Sequence, residues 1–439
     1  MHPSSASLSV GRRSLLRLSR LAASILGASI ALQVPAAALR SSSSLQTETV
    51  LAVATRGGVS QARVSLLPET QLRMGRTWSA EGRLRLEGAA SDTGLGTRET
   101  YSTVSEPWQP GSDVRIEIDT ATLSWRERTT QFTLGKQTVA WGVLDGVQVT
   151  DRFDAVRRRE AVFTQERPER LSRWGARARF RLGGTRLDAA AAFDGSVNQL
   201  ARAGDAFDIR AARSRGGLPA GIVPTRIDVD VPDDATFGLR ASRTIGTSDS
   251  SVMVIHGPDT EPVFLANGTG VELSYPTRTL LGATWQRAAG ARVWRLEGAF
   301  VPRQPVNLAP AQGLVTAKEA RWLIGSGLDW SLPGGIFLNA QLAVDHIDTG
   351  NAEIARPETD VVSTLRIQRS YSNERWRAVL EMINVLSDGS GTLRPSLTWQ
   401  QGDSLALDLG ADLIWGQERD LIGQFEQASR VYLRIRKTF

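Results

Sequence analysis

Hydrophobic and polar residues alternate along most of this chain with the period of two that is typical of β-strands. In the last nine residues, Val431, Leu433 and Phe439 lie on one face of an extended segment. Arg434 and Arg436 lie on the opposite face, so this strand is apolar on one side and cationic on the other. Such a strand fits the wall of a barrel between lipid and water, or a half-buried strand of a soluble sandwich.

About 16 segments share this alternation, and clusters of Gly, Pro, Asp, Asn and Ser separate them. We predict strands at 79–90, 113–127, 130–142, 173–183, 185–194, 235–245, 250–257, 270–287, 291–300, 321–331, 335–347, 360–371, 375–386, 391–400, 404–416 and 429–439. The alternation runs through Pro276, which predicts one strand over 270–287 with a bulge at the proline. Residues 61–76 are also strand-like, and a hairpin there would raise the number of strands to 18.

Connection lengths sort into two classes that alternate along the chain. Arg128-Thr129 and Gly183-Gly184 are tight turns, whereas 91–112, 143–172 and 195–234 are long loops. A transmembrane barrel has short periplasmic turns at one rim and long extracellular loops at the other, and a soluble sandwich has no reason for this sorting. The pattern therefore predicts an all-β fold, a transmembrane antiparallel β-barrel of about 16 strands.

Tryptophans also fall near predicted strand ends, as in the aromatic girdles of membrane barrels. The set near the periplasmic ends is Trp125, Trp285, Trp294, Trp330, Trp376 and Trp399. The set near the opposite ends is Trp141, Trp174, Trp322 and Trp415.

The amino terminus predicts export. Arginines precede an apolar run from Leu21 to Leu32 and a small-residue cleavage site, so 1–38 reads as a signal peptide. Residues 39–78 are then a periplasmic or lumenal segment, with an extra hairpin as the alternative, and 79–439 form the barrel. We expect localisation in the outer membrane of a Gram-negative cell, with membrane lipid as a partner. The barrel-assembly machinery is a second expected partner, through the strand ending in Phe439.

The composition refines this interpretation. The chain has no cysteine, and its net charge of +6 comes almost wholly from arginine. These arginines are scattered at strand spacing rather than gathered in a patch, so we do not expect a nucleic-acid partner. Only His256 and His346 follow the signal segment, and no phosphate-binding or dinucleotide motif is present, so we expect no enzyme activity, cofactor or metal.

Inward-facing charges are the candidate pore-lining or substrate-binding residues. The cationic set on strands is Arg83, Arg85, Arg115, Arg177, Arg179, Arg181, Arg366, Arg377, Arg434 and Arg436, and the acidic set is Glu381, Asp408 and Asp412. Either these groups pair and brace the wall, or a small arginine excess selects anions. Arg157, Arg158 and Arg159 lie in a long connection and would build a constriction if it folded into the lumen. A solvated outer loop is the alternative.

Several short motifs resemble a largely uncharacterised outer-membrane porin-like family allied to the alginate-export barrels. They are Gly135-Lys136-Gln137 with Trp141-Gly142, the stretch from Val271 to Pro276, Glu297 in an apolar strand, and Gly327-Leu328-Asp329-Trp330. The apolar face also switches near Gly135, as at a bulge. The family's usual Asn-Pro after Trp-Gly is replaced by Val149-Thr150-Asp151-Arg152.

The resemblance implies a conduit linked with export of hydrophobic or amphipathic compounds, with inner-membrane or periplasmic export partners. Together with the charged lumen, it leads us to expect a porin-like channel for small organic, anionic or amphipathic solutes. A loop-plugged structural or receptor barrel without open conductance is the alternative.

Overall fold

The computed structural model describes residues 39–55, 59–90, 95–160, 169–218, 226–268, 270–309, 314–350 and 352–439. The signal-peptide prediction for 1–38 lies outside these residues. They form 23 strands, numbered in chain order. The strands are β1 (Leu39–Ala54), β2 (Val59–Met74), β3 (Trp78–Ala89), β4 (Val114–Glu127), β5 (Thr130–Gln137), β6 (Arg157–Arg158), β7 (Arg173–Leu182), β8 (Thr185–Ala192), β9 (Gln199–Leu200), β10 (Ile227–Val229), β11 (Thr236–Ile245), β12 (Ser248–Pro258), β13 (Val263–Asn267), β14 (Gly270–Ser274), β15 (Thr277–Ala289), β16 (Arg292–Asn307), β17 (Thr316–Leu332), β18 (Ile336–Asp348), β19 (Thr359–Tyr371), β20 (Trp376–Val385), β21 (Ser390–Gln401), β22 (Leu405–Trp415) and β23 (Arg430–Thr438).

Eighteen of these strands form one closed antiparallel barrel, in which each strand pairs with its neighbours along the chain. The exceptions are β6, β9, β10, β13 and β14, which lie within connections. β1 closes the barrel against β23, with Gln46 opposite Thr438 and Ala54 opposite Arg430. Closure leaves no unpaired strand edge, which a membrane barrel requires.

The two additional strands come from the region left open in the sequence. β1 and β2 pair along their whole length, from Leu39 opposite Met74 to Val53 opposite Val59. The 18-strand alternative is therefore confirmed, and the barrel begins at Leu39 rather than at residue 79. The polar run Ser41–Ser44 hides β1 from a search for apolar alternation, although its backbone pairs like any other strand.

The prediction of a single strand over 270–287 is wrong. β14 ends at Ser274 and pairs with β10 and β13 in a small separate sheet, whereas β15 begins after Pro276 and belongs to the barrel. Leu273 and Tyr275 are buried with Val197 from another connection, while Leu281 is exposed on the outer wall. The apolar residues before Pro276 therefore pack inside the protein, whereas those after it face lipid.

The bulge expected near Gly135 is also absent, because β4 and β5 keep their register through it. Gly135 has a φ of +121°, and a Cβ there would collide with the carbonyl of Ala121. Only glycine permits this close approach of two backbones. The strand ends two residues later at Gln137, five residues before the predicted end, and the chain turns inward.

The wall separates an apolar outside from a polar inside. Val431 and Leu433 of β23 are 48% and 39% exposed on the outer face, whereas Arg430 and Tyr432 are buried on the inner face. Short turns, such as 128–129 and 183–184, lie at the rim that also holds Phe439, and the long connections lie at the other. We therefore call the first rim periplasmic and the second extracellular. No helix among the described residues is long and apolar enough to cross a membrane.

Candidate functional site

The connection that follows β5 enters the barrel instead of extending outward. We call residues 138–160 the lumen loop. Its apolar side chains, which include Trp141 and Leu144, are buried against inward residues of the wall such as Met253 and Leu323. Trp141 is fully buried. Its assignment to the outer aromatic girdle is wrong, since it packs inside the barrel at 5.5 Å from the ring of Phe153.

Glu297 on β16 holds the lumen loop by its carboxylate, which is 3% exposed. Its Oε1 accepts hydrogen bonds from the backbone N–H of Val143 and of Leu144, the latter at 2.6 Å. Its Oε2 accepts bonds from the N–H and the hydroxyl of Thr150, at 2.9 and 2.7 Å. A carboxylate that receives four donors is fully satisfied without an arginine partner, and each such charged bond is strong.

Two aspartates of the lumen loop bind backbone N–H groups near its beginning. Asp151 accepts a bond from the N–H of Trp141 at 3.1 Å and pairs with Arg170. Asp154 accepts a bond from the N–H of Val139 and lies 3.5 Å from Arg173 Nε. Burial raises the pKa of Asp154 to about 6, because removal from water penalises the charged form more than Arg173 favours it.

The three consecutive arginines lie inside the barrel, so the interpretation of a solvated outer loop is wrong for the two buried ones. Arg157 is 4% exposed and pairs with Glu117, and Arg159 is 7% exposed and contacts Glu87 at 2.7 Å. Arg158 is half-buried and contacts Glu261 Oε1 at 3.2 Å. The neighbouring carboxylates hold the pKa of Arg157 and of Arg159 above its usual range despite burial. These three arginines are therefore paired with carboxylates, and they do not form a constriction of unpaired cations.

The predicted residues on β3 and β4 join the same network. Arg83 Nε contacts Asp119 at 2.7 Å, and Arg85 pairs with Glu117 at 3.3 Å. Arg115 is fully buried and donates to Gln109 and to the carbonyl of Gly96 at 2.9 Å. This side of the lumen is consequently braced by ion pairs, as the structural interpretation of the sequence expects.

A second paired set lies on the last strands of the barrel. Arg366 Nη1 contacts Glu381 at 3.3 Å, Arg436 Nη2 contacts Asp408 at 2.9 Å, and Arg434 Nε lies 3.8 Å from Glu48. Several members of this set, such as Arg394, Arg430 and Glu160, were not predicted from the sequence because their roles depend on partners from other parts of the chain. Asp412 binds both Arg394 and Arg430, at 3.1 and 2.8 Å, and Glu160 of the lumen loop binds Arg430 at 2.7 Å.

The periplasmic half of the wall at β7, β8 and β11 differs, because arginines there outnumber acids. Side chains that share one face of neighbouring strands meet in register. Arg179 lies opposite Asp188, which lies opposite Arg240, and one level lower Arg181 lies directly opposite Arg186. Arg177 pairs with Asp188 at 2.5 Å. Among the described residues, none of Arg179, Arg181, Arg186 and Arg240 forms an ion pair. We call these five arginines the arginine patch.

Arg377 completes the predicted set. It lies on β20 opposite Thr398, whose hydroxyl donates to Asp408 inside the barrel. Register therefore places Arg377 on the lumenal face, and it makes no ion pair with any residue that the structure describes.

The tip of the lumen loop borders a cavity of about 170 Å³ inside the barrel. Arg295 crosses one edge of it, where it contacts Asp145 of the loop at 2.7 Å and also Asp329. Asn339 donates to Asp329 at 2.6 Å. Arg366 and Arg394 line the same space, so its wall presents fixed charges of both signs.

Other connections cover the extracellular mouth. Phe207, from the connection between β8 and β11, packs 5.9 Å from Phe425 in the last connection. Arg213 of the first connection contacts Asp360 at 2.6 Å and Asp388 at 3.1 Å on the opposite wall. A segment from one side of the barrel therefore spans to the other side above the lumen.

The structure is similar to several outer-membrane proteins of known structure. OccAB3 of Acinetobacter baumannii has a TM-score of 0.52 and 10% identity, over 92% of this chain and 99% of that one. The outer membrane protein opdK of Pseudomonas aeruginosa has a TM-score of 0.51 and 10% identity, over 91% and 98%. A BenF-like porin of Pseudomonas fluorescens Pf-5 has a TM-score of 0.51 and 9% identity, over 91% and 98%.

No protein-family model and no curated protein matches the sequence. At such low identity the structural likeness establishes the fold and not the solute. The match extends over nearly the full length of the compared proteins. The chain therefore has the closed all-β fold of outer-membrane porin-like barrels.

Proposed function

We propose that this protein is an outer-membrane channel for the passive passage of small organic solutes, with a preference for anions. The observation that carries the preference is the arginine patch at the periplasmic half of the lumen. Its five cations lie close enough to interact with Asp188 and Asp249 of the wall, and two of them also interact with acids that belong to the packing of the lumen loop, Arg240 with Glu297 and Arg177 with Asp154. Cations therefore remain in excess. An uncompensated cationic wall lowers the energy of an anion in the pore.

The arrangement of the patch argues against a purely structural role. Arg181 and Arg186 face each other across neighbouring strands, and like charges in that position destabilise a sheet. Buried arginines elsewhere in the lumen, such as Arg157 and Arg159, have acidic partners that relieve such repulsion. A repulsive pair that faces water in a channel is consistent with recruitment of a negatively charged solute, and arginine suits carboxylates because it binds them with two parallel hydrogen bonds.

The reversal potential across a salt gradient in planar bilayers tests this proposal. The wild-type channel is expected to favour the anion, and the double variant Arg181→Ala/Arg186→Ala should shift the reversal potential toward the cation. Arg243→Ala is the matched control, because Arg243 lies at the same rim on the outer face, in line with Leu239. An unchanged reversal potential in the double variant would refute the anion preference and leave the channel intact.

The covered mouth supports a second candidate, a loop-plugged structural or receptor barrel. The contact between Phe207 and Phe425 and the bridge from Arg213 to Asp360 place one connection across the entrance. Folded protein that conducts only after residues 201–218 are replaced by a short Gly-Ser linker would favour this candidate. Conductance by the intact protein would favour the open channel.

The solute class also admits amphipathic compounds, as the resemblance to the family allied to alginate-export barrels implies. The small cavity with charges of both signs favours compact solutes over long polymers. Assembly through the carboxyl-terminal strand and contact with periplasmic export partners belong to the same proposal. No enzyme activity is part of it.

A further inference from the structure

The outer wall carries a groove that the channel does not use. It has a volume of about 630 Å³ and runs over β15, β16, β17 and β18 on the face that meets lipid. In register, Trp285, Leu296, Ser326 and Leu342 form one row across the four strands. Leu296 and Leu342 are 49% and 43% exposed, whereas Ser326 is short, so the groove has apolar sides and a low floor.

The periplasmic end of this groove is cationic. Arg287, which lines the groove, lies opposite Trp294, and Arg292 lies opposite Ala289 one row nearer the turn. The two arginines are therefore diagonal neighbours on adjacent strands, about 7–8 Å apart and within reach of each other's long side chains. Arg292 stacks on Trp330, with its guanidinium carbon 4.4 Å from the ring centroid. Among the described residues, neither arginine forms an ion pair.

We propose that this groove binds one anionic phospholipid from the periplasmic leaflet, with its phosphate held between Arg287 and Arg292 and an acyl chain over Ser326. The charge and the shape of the groove select this occupant. Two neighbouring cations without acids attract a phosphate oxyanion, and arginine binds phosphate with two parallel hydrogen bonds. Tryptophan rings at this height are suited to the boundary between headgroups and acyl chains. An anionic headgroup is preferred because a zwitterionic one brings its own cation to the same pair.

The proposal goes beyond ordinary contact between a barrel and its membrane, because it assigns one lipid to one place. It rests on the barrel spanning the outer membrane and is independent of whether the lumen conducts. A bilayer experiment that finds no current would therefore leave it untouched.

Native mass spectrometry of the folded protein in a neutral detergent tests the site. Titration with a phosphatidylglycerol should give one tightly retained lipid in wild type, and a phosphatidylcholine with the same acyl chains should bind weakly. Each basic residue near a membrane surface contributes about a factor of five in affinity, so Arg287→Gln/Arg292→Gln should weaken phosphatidylglycerol binding by roughly 25-fold. Arg243→Gln removes one charge from the same rim outside the groove and should bind like wild type.

A second variant examines the groove itself. Ser326→Phe fills the floor, so it should weaken binding of a long-chain phosphatidylglycerol but not of a short-chain one that uses the headgroup alone. Equal binding of phosphatidylglycerol by wild type and the double arginine variant would overturn the proposal. A change of oligomeric state in Ser326→Phe, without any retained lipid in wild type, would assign the groove to a second copy of this chain and would also overturn it. Heat-modifiable gel mobility of each variant confirms that the barrel has folded.

Discussion

A buried carboxylate is stable only when hydrogen bonds or an opposite charge compensate for the lost water. Glu297 uses hydrogen bonds, because its four donors come from Val143, Leu144 and Thr150 of the lumen loop. Glu297 can be recognised in the sequence as a candidate because it lies in an otherwise apolar strand. The donors cannot, because three of them are backbone N–H groups that any residue provides.

Replacement of Glu297 by glutamine should release the lumen loop. The amide offers one acceptor oxygen, and its NH₂ group then faces N–H donors without compensation, so roughly 2–3 kcal/mol of loop docking is lost. We expect a larger and noisier single-channel current in planar bilayers. Glu127→Gln makes the same chemical change at an exposed position beside a periplasmic turn and should conduct like wild type. Identical currents in the two variants would show that Glu297 does not hold the loop.

The raised pKa of Asp154 leads us to expect that the stability of the folded protein depends on pH. This pKa of about 6 lies above the value of about 3.9 in an unfolded chain, so the folded protein keeps this proton more tightly. The stability that Asp154 contributes is therefore fully present below about pH 4 and is lost as the pH rises through 6, by about 3 kcal/mol. Other groups add their own pH dependence, so the difference between wild type and Asp154→Asn is the informative quantity.

Denaturant midpoints measured at about pH 4.5 and pH 7.5 check this expectation. Asp154→Asn should lose less stability than wild type over that interval, because the amide does not titrate. Asp403→Asn, in an exposed periplasmic turn, should follow wild type. A variant at position 154 that keeps the full wild-type dependence would place the titration elsewhere.

At the scale of elements, the lumen loop packs against the wall like a small hydrophobic core enclosed by the barrel. Trp141 fits over Gly238 of β11, where a Cβ would lie 2.6 Å from Trp141 Cη2 and 3.0 Å from Phe153 Cδ2. Rigid rings cannot yield as a flexible side chain can, so this glycine sets how closely the loop approaches the wall.

Gly238→Val should therefore displace the loop, lower the thermal midpoint and increase conductance. Gly298→Val is a matched control, because Gly298 is also a strand glycine and a Cβ there would meet nothing within 4 Å. The control should differ little from wild type in either measurement. If both valine variants lose the same stability, the effect comes from the strand backbone and not from Trp141.

At the scale of the whole molecule, closure depends on the first hairpin. β1 bonds to both β2 and β23, so removal of residues 39–74 would leave the edges of β3 and β23 unpaired in the membrane. Each unsatisfied backbone group in lipid costs several kcal/mol. Chains without 39–74 should lose the heat-modifiable band that marks a folded barrel in a gel. Replacement of residues 349–358 by a short Gly-Ser turn keeps all 18 strands and should preserve that band.

Much of the barrel follows from the sequence because each strand carries its own signal. Strands such as β17 and β18 alternate around exposed Trp322 and Leu342. The bounds of β18 lie within one residue of the prediction, whereas β17 ends one residue later and begins five residues earlier than predicted. The first half of β1 lacks this signal, because Ser41–Ser44 place serine on both faces, while the backbone there pairs with β2 like that of any other strand. The prediction of one strand over 270–287 failed although the alternation there is clear. Alternation shows that one face is apolar, but it does not show whether that face meets lipid or a loop.

The candidate site was less predictable, since its chemistry depends on pairs between distant segments. The alternation of apolar and polar residues placed Arg157 and Arg159 in a connection between strands. It did not identify Glu117 and Glu87 as their partners. The sequence predicted that Arg177, Arg179 and Arg181 face the lumen, but it did not identify Arg186 and Arg240. The excess of positive charge on β7, β8 and β11 emerges only when the strands pair and Arg181 meets Arg186 in register.

The sequence by itself determined the class of the protein, since alternation, sorted connection lengths and charged inner faces follow from the solvent that each residue meets. Only the tertiary structure decided how many strands close the barrel, that the lumen loop folds inward, and which arginines keep an uncompensated charge. These properties arise from hydrogen bonds and ion pairs between residues far apart in the chain, and local periodicity contains no information about such partners.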